Sequence, residues 1–129
     1  MKKTSKPTKA ATEKLAKELR QYLIDRGMWQ DARIYFGGKA FSTDDNNGNR
    51  YYNDPEHLVV LEDEDPRRYT EYAGDILTMT FEGPLYEALN YGDYGGLSWK
   101  TEEDLTAIFR KYGLYYEMGH SWDLSAFPI

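Results

Sequence analysis

Leu15, Leu19, Tyr22 and Leu23 recur at helical spacing. They predict an amphipathic helix that starts near Thr8 or Thr12 and stops at Gly27. The pattern then shifts to period two. Arg33-Ile34-Tyr35-Phe36 and Lys39-Ala40-Phe41-Ser42, joined by Gly37-Gly38, read as a β-hairpin, because paired glycines supply the positive φ angles of a tight turn. Tyr51-Tyr52 reads as a strand start, and His57 to Leu61 as a strand that the acidic run Glu62-Asp63-Glu64-Asp65-Pro66 closes.

Asp65 before Pro66 predicts the N-cap of a short helix running to Gly74. Asp75 to Phe81 reads as a strand with Leu77, Met79 and Phe81 on one face, and Gly83-Pro84 opens a short helix over Leu85 to Tyr91. Thr101-Glu102-Glu103-Asp104 resembles a capping box ahead of Leu105, Ile108, Phe109 and Tyr112, a helix closed by Gly113. Leu114 to Met118 and Trp122 to Leu124 form a final hairpin around Gly119-His120-Ser121. The expected fold class is α+β: a small, mostly antiparallel sheet with helices packed on one face. A flexible basic arm over residues 1–10 is expected to precede a single domain over residues 11–129.

Composition narrows the chemistry. The chain has 129 residues and no cysteine, which excludes disulfides, thiolate nucleophiles and thiolate metal sites. No apolar run approaches the roughly 20 residues of a membrane span, and no apolar segment follows the first lysines as in a secretory signal, so a cytoplasmic protein without membrane contact is expected. Charge is unevenly spread. Residues 1–20 hold seven basic and two acidic groups, while the other 109 residues hold nine basic and twenty acidic. A body this acidic repels phosphate backbones, so nucleic acid is an expected partner only through residues 1–20.

Each catalytic motif meets an obstacle. His120 has Glu117, Ser121 and Asp123 as sequence neighbours, but catalytic partners converge from separate elements. A small hydrolase pairing carboxylates with His120 is the enzymatic alternative. The glycine-rich stretch Gly92-Asp93-Tyr94-Gly95-Gly96 lacks the Lys-Ser/Thr of a phosphate loop. An EF-hand counted from Asp44 puts Pro55 at position twelve, and one counted from Asp45 puts Arg50 where glycine is needed. No metal or cofactor is therefore called for.

The remaining signal is a surface. Residues 44–75 contain ten Asp/Glu against three Lys/Arg, interleaved with tyrosines. The candidate contact residues are Asp44, Asp45, Tyr51, Tyr52, Glu62, Asp63, Glu64, Asp65, Tyr69 and Tyr72. Carboxylates on a rigid body attract a cationic counterpart, and tyrosine gives large contact area with little rotamer entropy. The expected function is a non-enzymatic, inhibitor-type binding domain for a basic protein. In size and acidity the chain is similar to small inhibitors carried by phages and conjugative elements. That analogy implies a DNA mimic of mobile-element type.

Overall fold

The computed structural model describes residues 6–129. The first five residues of the expected arm lie outside this range. Helix α1 spans Lys9–Asp25, and Thr8 caps it, its hydroxyl accepting from the Ala11 amide at 3.1 Å. Lys9 and Ala10 thus belong to the helix rather than to the arm. Replacing the cap by alanine orphans that amide. Thr8→Ala is expected to lower stability by about 1 kcal/mol in a urea titration.

Six strands follow: β1 (Ala32–Phe36), β2 (Lys39–Ser42), β3 (Val59–Glu62), β4 (Thr78–Phe81), β5 (Leu114–Met118) and β6 (Asp123–Pro128). They form one sheet in the order β3-β2-β1-β4-β6-β5, and every neighbouring pair is antiparallel. Helices α2 (Pro84–Tyr91) and α3 (Lys100–Arg110) complete the α+β fold. No described helix is long and apolar enough to cross a membrane.

Alternation along the strands sorts residues between two faces. Ala32, Ile34 and Phe36 of β1 line up with Phe41 of β2 and with Met79 and Phe81 of β4. This face is buried against Leu15, Leu19 and Leu23 of α1 and Leu105 and Phe109 of α3, with Trp29 fully enclosed. The helices therefore share one face. The other face carries Arg33, Tyr35, Thr78, Thr80 and Ser125, and the segment after β3 crosses it. The Gly74 amide donates to Thr78 Oγ1 and Ser125 Oγ, both at 3.1 Å, and Ser125 Oγ donates to the Tyr72 carbonyl.

Five sequence expectations need correction. Tyr51-Tyr52 does not start a strand: the Tyr51 amide donates to the Thr43 carbonyl, and Asn53 turns the chain with φ 52° while its side chain accepts from the Trp29 amide. The third strand begins at Val59 rather than His57 and includes Glu62. The carbonyls of Asp54 and His57 are instead held by the Arg20 guanidinium at 2.9 and 3.1 Å. The expected helix from Asp65 to Gly74 is one 3-10 turn, Pro66–Arg68, although Asp65 caps it as predicted. The fourth strand's ladder is shorter than Asp75 to Phe81, and Thr101 is not a cap. It lies one residue inside α3, turned inward onto Asp93.

Candidate binding surface

The structure splits the ten carboxylates of residues 44–75 into two equal sets. Asp44, Asp54, Glu64, Glu71 and Asp75 each have a cationic or histidine partner. Asp45, Glu56, Glu62, Asp63 and Asp65 have none among the described residues.

The first set is organised around Arg33. From β1, one terminal nitrogen donates to both Asp44 oxygens at 3.1 Å and to Asn46 Oδ1 at 2.8 Å, while the other reaches Glu64 Oε1 at 3.4 Å. Glu64 is buried and also lies 4.0 Å from Arg68. Burial alone would raise the Asp44 carboxyl, but the Ser42 hydroxyl and the Arg33 guanidinium together hold it below the usual carboxylate range. Two of the ten candidate residues are therefore internal counter-charges. Neither is free to meet a partner.

Local turn chemistry employs others. Asp45 accepts from the Asn47 and Asn49 amides and from the Asn49 side chain, which lowers its pKa. Asp65 accepts from the Arg67 amide, and Asp63 adopts a left-handed backbone. Glu62, at the end of edge strand β3, and Asp63 are exposed, beside exposed Leu58 and Val60.

The tyrosines are dispersed. Tyr51 stacks on His57 with centroids 4.8 Å apart. Tyr52 donates to the Asp31 carboxylate, which raises the phenol's pKa. Tyr69 lies over Tyr35 on the open sheet face at 5.8 Å, and Tyr72 meets His120 edge-on at 5.0 Å. The acidic tyrosine surface is thus not one patch. Four of its five unpaired carboxylates fall along residues 56–65, which Tyr51 meets at His57, while Tyr69 and Tyr72 contact other parts of the fold.

His120 Nε2 lies 2.5 Å from Glu71 Oε1, and its ring stacks on Trp122 at 4.7 Å. Both members of the pair are solvent-accessible, Glu71 by 70% of its side chain. The main cleft, about 640 Å³, contains neither; Arg33, Tyr35, Tyr69, Thr80 and Trp122 are among its walls. The pair thus stands beside that cleft, behind Trp122, rather than in its lining. The basic stripe on α1 is also interrupted, since Arg20 is buried on backbone carbonyls and Lys17 pairs with Glu13.

Sequence reasoning did not find a second hub. Asp93 is buried and accepts from Arg26 at 3.2 Å, from the Thr101 amide at 2.9 Å and from the Thr101 hydroxyl at 2.7 Å. The hub ties the end of α1 to the α2–α3 loop. The only sequence clue was an acidic residue between glycines.

These features define a small antiparallel α+β protein with a polar, internally paired open sheet face and an acidic strand edge. No family model matches the chain, and no curated protein or solved structure is detectably similar to it.

Proposed function

We propose that this protein is a non-enzymatic binding domain that docks onto a basic protein through the carboxylates of residues 56–65. One observation carries the reading: half of the acidic groups between residues 44 and 75 keep no cationic partner among the described residues, and four of these five, Glu56, Glu62, Asp63 and Asp65, fall within ten residues around edge strand β3. Unpaired charges close together along one segment act together at long range and steer a cationic surface to it. Exposed Leu58 and Val60 supply apolar contact between them. Internal pairing of Asp44 and Glu64 narrows the surface from the wider 44–75 stretch.

The test uses a ten-residue poly-lysine as the cationic probe, followed by amide chemical shifts at low ionic strength. Shifts are expected to concentrate at Glu56 to Asp65. The triple variant E62Q/D63N/D65N should weaken the probe about tenfold, roughly the effect of losing several exposed ion pairs at once. Shifts scattered over every carboxylate of the molecule, with no loss in the variant, would refute the proposal.

A further inference from the structure

The nine residues from Tyr91, the last of α2, to Trp99, which caps α3, expose four large apolar side chains: Tyr91 by 64%, Tyr94 by 75%, Leu97 by 89% and Trp99 by 43%. The link is not a loose loop. The Asp93 amide donates to the Ser98 carbonyl at 2.7 Å, the Ser98 amide returns to the Asp93 carbonyl at 3.2 Å, and the buried Asp93 carboxylate is clamped by Arg26 and Thr101. Gly92 holds φ 83°, and a Cβ there would stand 2.9 Å from the Ser98 carbonyl oxygen. The backbone is closed on itself and Asp93 is turned inward, while these four apolar side chains are exposed.

Tyr94 makes the arrangement harder to explain as folding alone. Five described non-glycine residues have positive φ, and four of them are Asn or Asp, which tolerate that region. The fifth is Tyr94, with φ 54°. A bulky residue held in a left-handed turn, three-quarters exposed, gains little from packing against its own chain. Conflict between local preference and observed residue marks positions kept for another purpose. Rigid Tyr and Trp side chains on a braced backbone are the usual anchors of protein interfaces.

We infer that residues 91–99 form a docking element that inserts into an apolar pocket framed by lysine or arginine on a partner protein. The rim decides the occupant. Glu87 lies one helical turn before Tyr91 on α2, Glu102 and Glu103 lie one turn after Trp99 on α3, and none of the three has a cationic partner among the described residues. Against a second copy, the same acidic rim would meet itself. An anionic bilayer would repel it, whereas a basic rim would complement it. The inference shares with the proposed function only the basic character of the partner. Its residues are separate from 56–65, so either can fail alone.

A photo-reactive phenylalanine analogue placed at position 94, and separately at 97, in the full chain within the native cell tests this. The cross-linked peptide is sequenced, and the protein that carries it is purified. We expect that peptide to come from an apolar pocket flanked by Lys or Arg. The double variant Y94G/L97S should then bind the purified partner at least 30-fold more weakly, while melting at or above the wild-type temperature. E102Q/E103Q should reduce the salt dependence of binding. Cross-links only to copies of this chain, to lipid or to nothing would overturn the inference. So would affinity unchanged in Y94G/L97S. Phosphatidylcholine–phosphatidylglycerol vesicles that bind the wild type and not the variant would overturn it in favour of a membrane.

Discussion

Asp93→Ala is expected to destabilise the protein by about 3 kcal/mol and to loosen the α2–α3 link more than any other segment. The carboxylate is the side-chain acceptor of the buried Thr101 amide, and it also takes the Thr101 hydroxyl and the Arg26 guanidinium. Removing it leaves a buried N–H without that partner, and it leaves Arg26 with the Thr101 hydroxyl at 3.2 Å and, as its nearest carboxylate among the described residues, Asp104 at 3.8 Å. An orphaned buried donor and a half-desolvated cation each carry a penalty larger than the net value of the bond that was lost. Guanidinium unfolding gives the stability change. Amide exchange should accelerate at residues 94–98 before it does in the sheet. A loss below about 1 kcal/mol would show that Asp93 is not the brace described.

Arg33→Met is the second large effect, also about 3 kcal/mol. Methionine keeps much of the side-chain volume but leaves buried Glu64 facing Asp44, with Arg68 at 4.0 Å the remaining cation near Glu64. The pH dependence follows from the sign of the Asp44 shift. Its folded pKa is lowered, so its pairing stabilises the fold above the unfolded value of about 4, and that contribution fades as pH falls through the lower folded value. The gap between wild type and R33M should therefore be largest near neutral pH and shrink in acid. Thermal melts at neutral and acidic pH measure it, and a gap that widens in acid would contradict the assignment.

Both hubs explain where the sequence could and could not be read. Helix α1 and the β1–β2 hairpin were legible because their signals are local: a capping threonine, a four-residue apolar repeat, a Gly-Gly turn. The order of strands was not. Nothing near Val59 says that β3 lies at an edge while β1 sits in the interior of the sheet. Arg33 finds Glu64 across 31 positions and Arg26 finds Asp93 across 67, distances over which pattern carries no pairing information. A count of carboxylates therefore overstated the free acidic surface, since Asp44 and Glu64 are indistinguishable by sequence from Glu62 and Asp63. Tyr91, Tyr94, Leu97 and Trp99 drew no surface reading from the sequence, and only the fold reveals that they face outward.

The central claim is electrostatic recognition of a basic protein by the edge around β3. The most direct measurement is the affinity of the full chain for its captured and purified physiological partner at 50 and 300 mM salt. Screening shortens the reach of surface charge from roughly 14 to 6 Å over that range, so affinity should fall at least tenfold, and E62Q/D63N/D65N should flatten the dependence. Affinity that is the same at both salt concentrations, and the same in the triple variant, would contradict the account.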